Sequence, residues 1–146
     1  MTNYDMVKYI NCMVERKMVK RIMVVDDEPD ILFSLKILLE RNNYDVVIAH
    51  SGKECIREME KGFKGIVLMD LMMPNMDGWE TINEIIKRGL MNNVAIEIIT
   101  GNGTKAFQTM DAMGSYIFDY IVKPLDMRRL LLSIERCNQH FNTKNT

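Results

Sequence analysis

From Arg21 onward the chain repeats one pattern five times: a short apolar run, an abrupt polar stop, then a segment with helical spacing. The runs fall at Ile22 to Val25, Asp45 to Ala49, Ile66 to Met69, Val94 to Ile99 and Ile117 to Val122. Nearly continuous apolar runs bounded by turn signals read as strands buried on both faces. Between them, Pro29 opens a predicted helix at a position where proline costs little, followed by Ile31, Leu32, Leu35, Leu38 and Leu39. Asn42-Asn43 marks a turn, and Ser51 stands as the N-cap of a helix carrying Cys55, Ile56 and Met59. Trp79, Ile82, Ile85 and Ile86 form a third helical stripe that stops near Gly89. A weaker helix is predicted from about Lys105 to Met113, and a final one carries Met127, Leu130, Leu131, Ile134 and Cys137.

Strands alternating with helices demand right-handed crossovers and a parallel sheet covered on both sides. The expected fold is therefore α/β: a doubly wound (βα)5 three-layer sandwich of flavodoxin-like type, strand order 2-1-3-4-5. At 146 residues the chain suits one domain, able to bury about two-thirds of its unfolded surface. The pattern assigns residues 20–142 to that domain, 1–19 to an N-terminal extension and 143–146 to a polar tail. In the extension, Met6, Ile10, Met13 and Val14 fit one face of a short helix. Two readings of it stay open: packing on the domain or a partner, or a frayed appendage.

The strand ends carry the chemistry. Ligands of open α/β sheets sit at the carboxyl ends of the strands. The first strand stops at Asp26-Asp27 and the third at Asp70, and the expected order makes these strands neighbours. Three converging carboxylates repel one another unless a cation intervenes, and hard oxygen donors suit Mg²⁺. Thr100 ends the fourth strand, and Lys123 ends the fifth ahead of Pro124. A net charge of −1 argues against nucleic-acid binding as the main task. No apolar run approaches the ~20 residues of a membrane span, and no signal peptide is visible, so a cytoplasmic protein is expected. Cys12, Cys55 and Cys137 are odd in number and widely spaced, and read as packing residues rather than a disulfide frame.

The stretches VVDDEPDI, VLMDLMMPNMDGWE, IITG and FDYIVKP, found in this order at successive strand ends, closely resemble the receiver domain of two-component response regulators. The resemblance covers about residues 20 to 141. It implies that Asp70 is the phosphoacceptor, taking a phosphoryl group from a histidine kinase or histidine phosphotransfer protein. It further implies that Mg²⁺, or Mn²⁺ in its place, is bound by Asp27, Asp70 and the backbone carbonyl of Met72, with Asp26 acting mainly through a metal-bound water. Thr100 and Lys123 would stabilise the phosphoryl group, and Thr100 and Tyr120 would act as the switch. The signalling face would comprise the helix before strand five, strand five and the last helix. Each residue has an ordinary alternative: a strand-end Asp as turn or cap, Thr100 as a cap, Lys123 as a solvated lysine, Tyr120 as a half-buried strand residue. Five coincidences at one sheet edge are far harder to accept than one.

On this reading the chain is not an enzyme with external turnover but a signalling protein that assists its own phosphorylation and dephosphorylation. Only one helix and a polar tail follow Lys123, so a stand-alone receiver acting on a downstream protein is expected, with room for a phosphorylation-dependent homodimer. Rivals are a phosphate-independent interaction module and an aspartate-nucleophile phosphatase. The latter class carries a second Asp where Glu28 stands. Three departures from the family pattern stand out. Met72 and Asn102 flank the site, and an apolar Met72 cannot position an attacking water, so a modest rate of phosphate loss is expected. Glu97 interrupts strand four, which calls for a strand edge or a cationic partner. The stretch Gly114 to Phe118 fits poorly to the family's turn into strand five.

Overall fold

The computed structural model describes residues 2–17, 21–101 and 114–144. Five parallel strands form one sheet in the order β2-β1-β3-β4-β5, as expected: β1 (Arg21–Val25), β2 (Asp45–Ala49), β3 (Gly65–Asp70), β4 (Val94–Thr100) and β5 (Ile117–Val122). Helices α1 (Asn3–Lys17), α2 (Pro29–Arg41), α3 (Gly52–Glu60), α4 (Gly78–Lys87) and α5 (Met127–Lys144) complete the described secondary structure, with a 3-10 turn at Gly114–Tyr116. The helix predicted from Lys105 to Met113 lies outside the described residues.

The local signals act as their chemistry requires. Pro29 occupies the start of α2. The Ser51 hydroxyl accepts a hydrogen bond from the Glu54 amide at 3.2 Å, and the Asp77 carboxylate caps α4 by accepting from the Glu80 amide at 2.8 Å. Each satisfies one amide that the first helical turn leaves without a partner. Gly89, at φ +70°, turns the chain away after α4.

Alternation along the central strands feeds two cores. Met23, Val25, Val67, Met69, Ile96 and Ile98 pack toward α3 and α4 with Cys55, Ile56, Met59, Ile82 and Ile85. Ile22, Val24, Ile66, Leu68 and Ile99 point the other way, onto Leu32, Leu35 and Leu39 of α2 and Leu130, Ile134 and Cys137 of α5. This double burial explains why β3 is buried at every position. Cys55 and Cys137 are buried free thiols, and burial pushes the Cys55 pKa up to about 12.

Three features differ from, or refine, the sequence-based expectation. Residues 2–10 of the N-terminal segment are all exposed, so the Met6 and Ile10 side chains gain no cover from the domain; the Met13 and Val14 side chains lie outside the described residues. Glu97 is not at a sheet edge: β4 lies between β3 and β5, and the residue is fully buried. Its hydrogen-bond contact is a hydroxyl, Ser133, rather than a cation. The poor fit before strand five has a structural cause. Ile96 pairs with Ile117 but Glu97 pairs with Asp119, so Phe118 is an extra residue on β5, a β-bulge.

Gly65 begins β3 at φ +142°, and a Cβ built there would be driven into the Arg21 carbonyl oxygen on β1. Both the backbone conformation and the space forbid a side chain. Gly65→Ala is expected to lower stability by about 2–3 kcal/mol in urea denaturation. The same change at Gly62, which has φ +97° and open space, should cost only about 1 kcal/mol.

Candidate functional site

The strand order puts the ends of β1 and β3 side by side, and their terminal carboxylates meet. Oxygens of Asp26, Asp27 and Asp70 all lie within 4.8 Å of one another. Asp26 and Asp70 are buried, and Asp27 is the more exposed member. Backbone amides fix the two buried groups: Glu28 N donates to Asp26 Oδ1 at 2.9 Å and Met72 N donates to Asp70 Oδ1 at 3.0 Å. The sequence motifs mark these carboxylates but not the amides that orient them, which depend on the turns after each strand.

Lys123 arrives from the end of β5. Its ammonium lies 3.3 Å from Asp26 Oδ2 and 3.5 Å from Asp70 Oδ2. Its amide donates to the Thr100 carbonyl at 2.8 Å, tying the two loops that leave β4 and β5. Burial works against the charged lysine, but the Asp70 and Asp26 carboxylates outweigh it and hold its pKa above the ordinary value. Thr100 is buried at the end of β4, one residue beyond the Asp70–Ile99 pair, so it stands on the strand next to Asp70. Tyr120 sits two residues before Val122, the partner of Thr100 in the ladder, and packs against the core on the α3/α4 side. Met72 follows the site with its side chain largely exposed, and Asn102 lies outside the described residues.

One contributor escaped the sequence reading. Gly78 opens α4 against the site, and a Cβ there would collide with the Asp70 carbonyl oxygen and Leu71. Its amide donates to the Leu71 carbonyl at 3.1 Å, closing the loop that carries Met72. The Asp77-Gly78 pair, a cap followed by a residue without a side chain, was the available signal.

Among the described residues the electrostatic balance is negative: three carboxylates face one ammonium. Burial, and then the nearby Asp26 charge, push the Asp70 pKa up to about 6, against the lowering effects of the Met72 amide and Lys123. An acid that holds its proton longer when folded loses folding stability as pH rises between its unfolded value, near 4, and about 6. The residues fit a hard divalent cation, since the cluster offers only carboxylate oxygens and retains excess negative charge. Asp70→Asn is therefore expected to stabilise the metal-free protein at pH 7.5 by about 1–2 kcal/mol and to flatten its stability profile between pH 4 and 6. Thermal unfolding with and without Mg²⁺ checks the other half: the ion should raise the midpoint of wild type more than that of the variant.

Residues 22–135 match the family described as the response regulator receiver domain. The CheY-like receiver domain protein of Methanospirillum hungatei superposes with a TM-score of 0.76 at 33% identity, covering 84% of this chain and 97% of that one. Thermotoga maritima TrrA, solved in complex with Mg²⁺-BeF, gives 0.69 at 29% identity, covering 80% and 97%. The Vibrio cholerae CAI-1 autoinducer sensor kinase/phosphatase CqsS is 38% identical over 113 residues, 77% of this chain and 16% of that protein. The Bacillus subtilis alkaline phosphatase synthesis transcriptional regulatory protein PhoP is 32% identical over 111 residues, 76% and 45%. The chain thus spans less than half the length of these two curated relatives. Among the described residues, no helix is long and apolar enough to cross a membrane. With the family matched over most of its length and the same fold in solved receivers, this chain belongs to the response regulator receiver domains of two-component signalling.

Proposed function

We propose that Asp70 accepts a phosphoryl group from a phosphohistidine on a sensor kinase or phosphotransfer protein, and that the modified domain signals through its β5–α5 side. The observation that carries this reading is the meeting of Asp26, Asp27, Asp70 and Lys123 at one sheet edge. Asp70 is the favoured acceptor among the carboxylates because it alone ends the strand beside Thr100.

The acceptor step is a substitution at phosphorus. A carboxylate oxygen of Asp70 attacks, the O–P bond forms, the P–N bond breaks, and the imidazole leaves with the electron pair and takes up a proton. Such transfers proceed through a loose transition state, so positioning and charge stabilisation supply most of the acceleration. The Met72 amide holds one Asp70 oxygen, leaving Oδ2 on the Lys123 side as the attacking atom. Lys123 compensates charge on the equatorial oxygens, and Thr100 donates its hydroxyl to one of them. Asp26, Asp27, Asp70 and the Met72 carbonyl would hold Mg²⁺, or Mn²⁺, which supplies further charge neutralisation when bound. The domain thereby assists its own phosphorylation and the later hydrolysis.

Phosphorylation adds about 1.5 to 2 negative charges and three acceptor oxygens. Thr100 is drawn toward them, and Tyr120, on the neighbouring strand, moves into the space behind. The readout is then a shift in a pre-existing equilibrium of the face that includes β5 and α5; the helix expected at 105–113, which the family resemblance adds to that face, lies outside the described residues. Its target is a protein, or a second phosphorylated copy. We place the signalling unit at residues 20–142, with 1–19 as an extension and 143–146 as a tail.

Intact-mass spectrometry after incubation with acetyl phosphate and Mg²⁺ tests the acceptor. A single phosphoryl adduct is expected in wild type, lost in Asp70→Ala and in the presence of EDTA. Absence of the adduct from folded, Mg²⁺-loaded wild type would leave the phosphate-independent interaction module as the better reading. Once acetyl phosphate is removed, the adduct should decay at a modest rather than fast rate, because exposed, apolar Met72 positions no water; a lifetime of seconds would contradict this.

A further inference from the structure

Glu97 faces the α2/α5 side of the sheet, in a row otherwise filled by Leu68, Ile99, Leu130 and Ile134. It is 0% exposed, as is Ser133 opposite it on α5. Ser133 Oγ lies 3.1 Å from Glu97 Oε1 and 2.6 Å from Asp119 Oδ2 on β5. Two carboxylates therefore share one hydroxyl.

A serine hydroxyl has one proton to give. The shorter contact marks Asp119 as its recipient, in keeping with a charge-assisted bond. Asp119 is also the better placed of the two to carry charge: it is partly exposed, Arg136 Nη2 lies 3.4 Å from Oδ2, and the Tyr120 amide donates to Oδ1 at 2.8 Å. The remaining Glu97–Ser133 contact would then set lone pair against lone pair if Glu97 were ionised. Glu97 Oε2 moreover has no hydrogen-bond partner among the described residues. A buried carboxylate with one oxygen unpartnered and the other facing an acceptor is strongly disfavoured, whereas a neutral acid in the same place completes the chain of bonds.

We propose that Glu97, Ser133 and Asp119 form a proton-bearing latch, in which neutral Glu97 donates to Ser133, Ser133 donates to Asp119, and loss of the Glu97 proton loosens α5 from the sheet. The balance is simple: one proton passes to solvent and one buried negative charge appears between β3, β5 and α5. The groups facing it do not compensate that charge. β3 presents Leu68, and β5 presents Asp119, of like sign. From α5 come Ser133 and the neutral thiol of Cys137, whose pKa burial raises first and the Glu97 and Asp119 charges raise further. Tyr44 Oη accepts from Asn138 Nδ2 at 3.2 Å, and burial with the Glu135 and Glu97 charges keeps the phenol neutral. Arg136, the cation of the group, is largely exposed and contacts Asp119 instead. Burial accordingly raises the Glu97 pKa to about 7. The elements joined by the latch, β4, β5 and α5, are those that carry Thr100, Tyr120 and the proposed signalling face.

The folded chain holds this proton at a pH where the unfolded chain has released it, so stability falls as pH rises from about 4.5 to about 7. Glu97→Gln keeps a donor toward Ser133 and cannot ionise. In denaturant titrations between pH 5 and 8, the folding constant of wild type should fall about ten- to a hundredfold relative to the variant, which cancels the contribution of Asp70. Parallel pH profiles would overturn the proposal. Infrared spectra of wild type carrying ¹³C-labelled glutamate give a second measurement that needs no variant and excludes Asp70. A labelled acid carbonyl band should persist to near neutral pH and vanish above it; full ionisation of all glutamates by pH 5.5 would overturn the assignment. Hydrogen exchange over Leu130 to Ile134 tests the loosening. The ratio of wild-type to Glu97→Gln rates should be near one at pH 6 and rise several-fold at pH 8, and an unchanged ratio would sink the latch. None of these readouts uses phosphate, so they stand or fall apart from the acceptor role of Asp70.

Discussion

Crowding of like charge at one edge of the sheet is the constraint on which the rest of this structure depends. Asp26 and Asp70 are nearly excluded from water, and among the described residues Lys123 is the cation that contacts both. Such an arrangement is unfavourable by itself. It survives because the strands beneath it are buried on both faces and cannot move apart without exposing Met23, Val24, Leu68 and Met69. The apolar sandwich thus holds together a pocket that would otherwise disperse, and the pocket is left with an unsatisfied demand for positive charge. A receiver domain uses that demand, since a cation and a phosphoryl group are each accommodated by charges already in place.

The same logic connects the pocket to the surface. Lys123 is tied through its amide to the Thr100 carbonyl, so the ends of β4 and β5 share one hydrogen bond as well as one active edge. On the far side of the same two strands, Glu97 and Asp119 meet Ser133 of α5. Chemistry at the sheet edge and packing of the last helix therefore act on a common pair of strands. Stored polarity in the β4–β5 ladder is unusual for a core, and it sits directly against α5.

Much of this was legible in the residues because each signal had a single physical meaning. Uninterrupted apolar runs such as Ile66 to Met69 can be buried on both faces only in a covered parallel sheet, and the strand order followed from the alternation with helices. The acids stood at the ends of those runs, so their meeting at one edge followed from the order alone. Ser51 and Pro29 marked helix starts for reasons confined to their own turns. What was not legible depended on three-dimensional partners. Glu97 looked like a residue in need of a cation or an edge, because nothing in the sequence pairs it with Ser133, 36 residues away. The irregular Gly114 to Phe118 stretch could not be parsed, because a bulge is defined only by the partner strand. Asp77 offered a cap signal, but nothing in the sequence revealed that the missing side chain of Gly78 makes room for the Asp70 backbone.

The extra residue at Phe118 has a consequence for how β5 is shared between its neighbours. Below it, Ile117 follows the register of Ile96; above it, Asp119 and Tyr120 fall opposite Glu97 and Ile98. Side chains alternate along a strand, so regular pairing with Phe118 opposite Glu97 would exchange inside for outside in everything beyond it. Asp119 would then fall opposite Ile98, in the apolar layer over α3 and α4, and Tyr120 opposite Ile99, toward α5. The bulge thus works as a parity bit for the strand. Closing it without removing a residue would invert the message of the upper strand while leaving its composition untouched.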